Sequence, residues 1–296
     1  MKRRTFLQRT TLGAVTLGLP LFHNISCSAG YAKSKMKMGL VTYLWGKDMD
    51  IPTLISSCQK SGLEGVELRV EHAHGVMPNI SAQRRAEVKR QFEDSGIELV
   101  GLGTNQQYDY PDPDVLRKSI EGTKEFIILS NDVGGSGVKV KPNAFHEDVP
   151  RDQTLEQIGK SLREIAEFAA DYGQEIRLEV HGKETNQLPN IKIMMEVADH
   201  PNVRVCWNCN DADLNGPGLK YNFNLVKDYF GNTVHIRELN VGEYPYQQLM
   251  DLLVEANYSG WILLECRTEQ QDYVAAMAKQ LEIFKEMVAI SKNKVK

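Results

Sequence analysis

Leu178-Glu179-Val180-His181-Gly182 decides how this chain folds. At the end of a short extended run, the polar side chains of Glu179 and His181 alternate with apolar ones. Residues i and i+2 of a strand share a face, so these two emerge side by side. Five other runs end the same way, in Glu67 and Arg69, Lys139 and Lys141, Asn208 and Asn210, His235 and Arg237, and Glu265 and Arg267. Charged groups on strands buried on both faces are costly unless they are paired or bound to metal. Six repeats of the pattern therefore predict a polar pocket at one end of a parallel sheet.

Working outward, candidate strands fall at 38–42, 65–70, 98–101, 137–141, 176–180, 203–207, 233–238 and 261–266. Helical periodicity fills the intervals at 52–61, 82–95, 114–129, 155–172, 191–198, 225–229, 246–256 and 273–290. Thr154 is placed to N-cap the fourth helix, with Gln157 three residues on as in a capping box and the end at Gly173. Gly62 and Gly96 stand where C-terminal glycines end helices. Eight alternating units predict an α/β protein with a parallel sheet. No Gly-rich dinucleotide fingerprint follows the first strand, and Gly134-Gly135-Ser136-Gly137 precedes a strand instead of opening a helix. A closed (β/α)8 TIM barrel is thus favoured over an open sheet, with residues 33–296 as a single catalytic domain.

Residues 1–32 read as an export signal. Lys2-Arg3-Arg4-Thr5-Phe6-Leu7 is a twin-arginine pattern, and the uncharged stretch 10–22 that follows is shorter than the roughly 20 residues of a membrane span. Cleavage after Ala32 and lipidation of Cys27 are both open, and the expected location is the periplasm, without a membrane span. A formal net charge of −4 with the two signs interspersed offers no basic stripe, which counts against nucleic acid as partner. Cys58, Cys206, Cys209 and Cys266 are too scattered for a disulfide framework. Cys206 and Cys209 have opposite strand parity, so their C-x-x-C spacing is taken as structural.

The last four strand ends supply Glu179, Asn208, His235 and Glu265, each about one strand–helix unit from the next. Two carboxylates, an imidazole and an amide oxygen suit one divalent metal ion: Mn²⁺, Mg²⁺, Co²⁺ or Zn²⁺.

The chain resembles the sugar-phosphate isomerase/epimerase group of xylose-isomerase-like barrels across residues 33–296. The resemblance is carried by Val66-Glu67-Leu68-Arg69, Leu178-Glu179-Val180-His181-Gly182, Val205-Cys206-Trp207-Asn208, Val234-His235-Ile236-Arg237 and Leu264-Glu265. In that group a fifth-strand Glu, a sixth-strand Asp, a seventh-strand His and an eighth-strand Glu bind one divalent metal. The two Glu residues also flank the carbon whose proton is removed. Glu179, His235 and Glu265 match. Asn208 departs from the usual Asp, and Asp211 stands where a His is common. An amide oxygen still ligates but brings no charge, so metal affinity is expected to fall.

The resemblance implies enolisation of a keto-sugar, with Glu179 and Glu265 as base and acid. His181, Arg237, Lys183, Glu67, Arg69 and Lys139 are the candidate substrate-binding residues, and Lys139 also has the option of pairing with a carboxylate inside the barrel. His72 and His74 lie within reach of the rim, and Tyr43 and Trp45 are candidates for a wall against a sugar face. Export, with no Gly-rich phosphate cradle, favours a neutral sugar or a 3-keto-glycoside over a sugar phosphate. Epimerase, isomerase, lyase and hydratase outcomes share the proton abstraction. The oligomeric state is open, with a homodimer as one option, since sugar-acting barrels of this type often pair. The alternatives are a non-catalytic sugar-binding barrel, motivated by Asn208, and an apurinic-site endonuclease, which shares the fold but needs more His and Asp ligands.

Overall fold

A computed structural model describes residues 35–295; the export signal expected at 1–32, with Cys27, lies outside them. The strands are β1 (Lys37–Val41), β2 (Gly65–Arg69), β3 (Glu98–Gln107), β4 (Gly137–Lys141), β5 (Glu175–Glu179), β6 (Val203–Asn208), β7 (Phe230–Ile236) and β8 (Trp261–Leu264). The helices between and after them are α1 (Ile51–Ser61), α2 (Ala82–Ser95), α3 (Pro113–Val133), α4 (Arg151–Ala170), α5 (Leu188–Ala198), α6 (Leu219–Val226), α7 (Tyr246–Glu255) and α8 (Tyr273–Lys294). Each strand pairs in parallel with its sequence neighbour. β1 returns to β8 with Gly39 opposite Leu263, which closes the predicted barrel.

The interior is filled in tiers. Val41, Val100, Trp261 and Leu263 form a small apolar cluster separate from the main core. Full burial of such side chains is worth about 1.5–3 kcal/mol each. Beside it the buried Arg177 guanidinium donates to Glu175 Oε1 (2.9 Å), Val100 O (3.0 Å) and Ser136 Oγ (2.8 Å). Val41 of this cluster lies opposite Glu67, the first of the polar residues at the strand ends. The larger core lies outside, between strands and helices, and includes Leu40, Val66, Leu102, Ile158, Leu178, Val205, Trp207 and Ile236.

Gly62 and Gly96 end α1 and α2 in the left-handed conformation, as expected. The expected Thr154 cap is not realised. α4 begins four residues earlier behind Pro150, and Thr154 lies buried in its first turn. Gln157 instead donates to Tyr108 O (2.8 Å) and Tyr110 O (2.9 Å). The sixth helix also shifts. Pro217 and Gly218 break the chain, α6 starts at Leu219, and a short 3-10 turn covers Asp211–Leu214. Asn222 pins that turn by donating to Asp213 O (2.9 Å) and Asn215 O (3.0 Å).

β3 runs six residues past its expected end at Gly101. Gly101 and Gly103 look like breakers, but both are demanded by close approach. A Cβ on Gly103 would lie 2.9 Å from Glu67 Oε1, so the missing side chain is what admits a carboxylate into the barrel. Among the described residues no helix is long and apolar enough to cross a membrane, and the four cysteines are buried free thiols.

Candidate active site

The six polar pairs at and just past the strand ends fall into two tiers. The inner tier holds Glu67, Lys139, Glu179, Asn208, His235 and Glu265, all at most 6% exposed. Lys139 Nζ lies 2.6 Å from Glu179 Oε2, and Asn208 Nδ2 donates to Glu179 Oε1 at 2.7 Å and reaches Glu265 Oε2 at 3.5 Å. His235 stands between two carboxylates, with Nε2 3.2 Å from Glu67 Oε1 and Nδ1 4.0 Å from Glu179 Oε1.

Electrostatics separates the two catalytic candidates. Burial pushes the Glu179 pKa up, but the Lys139 and His235 charges outweigh it and hold the carboxyl well below its ordinary range. Burial and the adjacent charge of Glu179 raise the Glu265 carboxyl.

The residues present fit a cation. Glu179, His235 and Glu265 each offer one ligand atom, all within 4.8 Å of one another. Asn208 Oδ1 and His235 Nδ1 are buried without hydrogen-bond partners among the described residues, whereas His235 Nε2 faces Glu67. Such orphaned groups cost about 1–3 kcal/mol each, which a shared cation relieves. A half-turn of the Asn208 amide exchanges its ends and turns Oδ1 toward the same two carboxylates, as a cation between them requires.

The outer tier is Arg69, Lys141, His181, Asn210, Arg237 and Arg267. Arg69 and Lys141 both donate to Asn105 Oδ1 at 3.0 Å. Asn210 is pinned to Val180 O and Asn208 O, each at 2.7 Å. His181 Nδ1 and Arg237 Nε have no partner among the described residues.

Several expected substrate contacts lie elsewhere. Glu67 is fully buried against His235, and the Lys139 ammonium is taken up by Glu179, the pairing its position inside the barrel also allowed. Lys183 is exposed, and its backbone N–H bonds Asn143 O at 3.0 Å. His74 staples the loop after β2, with Nε2 2.8 Å from Arg69 O and Nδ1 accepting from Val76 N. Burial depresses its pKa to about 4. Trp45 is buried, and its indole N–H donates to Thr268 O at 2.7 Å, so it clasps the β8 loop. Tyr43 remains at the mouth beneath the Arg69 guanidinium, 5.7 Å from its ring centre.

Three supporting residues escaped the sequence reading. Glu238 Oε1 accepts from Arg267 N (2.9 Å), Thr268 N (2.7 Å) and Thr268 Oγ1 (2.6 Å), fixing the segment just after Glu265. Asp213 Oδ2 accepts from Tyr244 Oη (2.7 Å) and Asn210 N (2.9 Å) beneath the β6 rim. Asn105 lies on the part of β3 beyond Gly101. The only sequence signal for Glu238 is its place beside Arg237.

Comparison with known proteins follows the same outline. Residues 55–287 match the family model described as a xylose isomerase-like TIM barrel. The chain is 23% identical over 250 residues to the D-psicose 3-epimerase of Ruminiclostridium cellulolyticum, spanning 78% of this chain and 83% of that one. Its fold is similar to that of the 3-keto-D-glucoside 4-epimerase YcjR of E. coli, with a TM-score of 0.72 at 17% identity, covering 85% and 100% of the two chains. It is similar too to the IolI protein with a bound zinc atom, with a TM-score of 0.73 at 14% identity, covering 86% and 99%.

Proposed function

The chain belongs to the xylose isomerase-like TIM barrel family, and on that premise we propose that it is a metal-dependent enzyme that enolises a keto-sugar, as an epimerase or isomerase. The carrying observation is that Glu179, His235 and Glu265 converge from three strand ends to within 4.8 Å in a water-poor tier. With Asn208 they are the residues to hold one divalent ion, Mn²⁺, Mg²⁺, Co²⁺ or Zn²⁺. Such an ion supplies Lewis acidity that makes a proton next to a carbonyl removable.

The protein's own groups do the rest. Glu179 and Glu265 enter from β5 and β8, so they approach a sugar from different sides, one to take the proton and the other to return it. Lys139 keeps Glu179 ionised and fixes its orientation through the 2.6 Å contact. Asn208 spans both carboxylates. Burial of the whole tier excludes water that would compete for the proton.

Return of the proton to the opposite face of the same carbon gives an epimer, and return to its neighbour gives an isomer. Loss of a substituent next to the deprotonated carbon gives elimination, the lyase outcome on a 3-keto-glycoside, and addition of water to that product is the hydratase outcome. The resemblance of an exported chain to barrels acting on oxidised sugars supports this wider range. Arg3-Arg4 supports action outside the cytoplasm.

The test is incorporation of solvent deuterium into a panel of keto-sugars with and without chelator. Exchange that needs metal and falls by about 10²–10⁴-fold in Glu265→Gln is expected. Absence of metal-dependent exchange across the panel overturns the proposal.

A further inference from the structure

The two tiers of the mouth differ in charge. The inner tier mixes three carboxylates, Glu67, Glu179 and Glu265, with one ammonium, Lys139. Two residues further along the chain stand Arg69 and Lys141, still on β2 and β4, and His181, Asn210, Arg237 and Arg267, past the ends of their strands, with no acidic residue among them. Among the described residues, none of Arg69, Lys141, Arg237 and Arg267 makes a side-chain ion pair. The fixed cations of the two tiers already outnumber the carboxylates, and a bound divalent ion adds to the surplus.

The surplus is focused at one point. Arg69 and Lys141 reach in from β2 and β4 and donate to the same neutral oxygen, Asn105 Oδ1, both at 3.0 Å. Two like charges gathered on one uncharged acceptor repel each other, while Glu179 and Glu265 attract Lys141 from the inner tier. Burial, Lys139 and Arg69 accordingly pull the Lys141 pKa down to about 8. The exposed Glu71 bonds the other end of the Asn105 amide, accepting from Nδ2 at 3.3 Å. Tyr43 stacks on Arg69 and limits where its guanidinium can turn. A carboxylate or phosphate placed where Asn105 Oδ1 now lies meets a planar guanidinium fork and an ammonium together, the arrangement that recognises oxyanions.

Resting on the keto-sugar reading above, we propose that the substrate is an anionic sugar, whose oxyanion is held between Arg69 and Lys141 while its carbonyl end lies in the inner tier. Two residues of parallel strand advance about 6.6 Å, comparable with the reach from the carbonyl to the far end of an open-chain hexose. This departs from the neutral sugar that export alone suggests, and the departure comes from the outer tier's charge.

The experiment compares three probes that differ only at C6: D-fructose, D-fructuronate and D-fructose 6-phosphate. Binding to the metal-loaded protein is measured by titration calorimetry at low and high salt. D-fructuronate is expected to bind at least about tenfold more tightly than D-fructose, with the advantage shrinking at high salt. Arg69→Met and Lys141→Met, both at the open rim, should each remove most of that preference, and Arg69→Lys should keep part of it. Stronger binding of D-fructose 6-phosphate with the same dependence on Arg69 and Lys141 also supports the site and identifies a phosphate ester as its anion. Equal affinity for all three, or a preference unchanged in both Met variants, overturns the proposal. Deuterium exchange run in parallel separates the two readings. Exchange into D-fructose without any anion preference leaves the enzyme standing and removes this inference. An Arg69- and Lys141-dependent preference without exchange into any keto-sugar does the reverse.

Discussion

Lys139 Nζ and Glu179 Oε2 meet at 2.6 Å with both side chains only 2% exposed, an ion pair closed inside the barrel. Breaking such a pair leaves a charge buried alone. Lys139→Met should therefore destabilise the metal-free protein by about 3–5 kcal/mol, measured by denaturant unfolding in chelator. The double variant with Glu179→Gln should recover much of that loss, because no charge is then stranded. A Lys139→Met cost below about 1 kcal/mol would show that Glu179 does not depend on this ammonium.

Asn208 sets two properties against each other. Asn208→Asp restores a third negative ligand, so divalent-ion affinity should rise by about tenfold or more. It also replaces a donor 2.7 Å from Glu179 by a like charge. Metal-free stability should then fall by about 1–3 kcal/mol. Calorimetric metal titration and unfolding in chelator read the two effects separately. Opposite signs are expected; weaker metal binding in Asn208→Asp would remove Asn208 from the ligand set.

Asp213 predicts a pH dependence with a definite sign. Burial, despite the bonds from Asn210 and Tyr244, pushes its pKa from the ordinary 3.8 up to about 7. Between those values the folded state holds a proton that the unfolded chain has released, so stability falls as pH rises and levels off above about 7. The full effect is roughly 4 kcal/mol as an upper bound. Asp213→Asn keeps an acceptor for Tyr244 and Asn210 and does not titrate. Its stability relative to the native protein should increase from pH 4 to pH 7 and then stay constant. Parallel stability curves over that range would mean that Asp213 is ionised in the fold.

Glu238 shapes the site without entering it. Its Oε1 gathers three donors from Arg267 and Thr268, and burial is outweighed by those bonds, which hold its carboxyl below the ordinary value. Glu238→Ala should cost about 1.5–3 kcal/mol and loosen the segment that carries Glu265. Metal affinity should drop with it, while Glu238→Gln, which retains an acceptor, should fall between the two. Unchanged metal affinity in Glu238→Ala would uncouple the β8 loop from the site.

Much of this was legible along the chain because a parallel barrel writes its geometry locally. Strand parity alone put Glu179 beside His181 and His235 beside Arg237, and Gly62 and Gly96 marked two helix ends through the left-handed turn that favours glycine. Where spatial neighbours intervene, the chain misled. The third strand was expected to end at Gly101, yet β3 continues, with Gly137 and Glu67 occupying the space that side chains at Gly101 and Gly103 would need. Asn105 was hidden by the same misreading.

The two-residue period of a strand was enough to expect the barrel and the buried polar residues Glu67, Lys139, Glu179, Asn208 and His235, but it does not reach His181, Asn210, Arg237 and Arg267, which lie past the strand ends. Tertiary structure alone decided the pairings. It bonded Lys139 to Glu179 instead of leaving it for substrate, set Glu67 against His235, and brought Arg69 and Lys141 to the single oxygen of Asn105. Those contacts join residues on different strands, and their distances are set by the closure and stagger of the whole barrel, which no local pattern encodes.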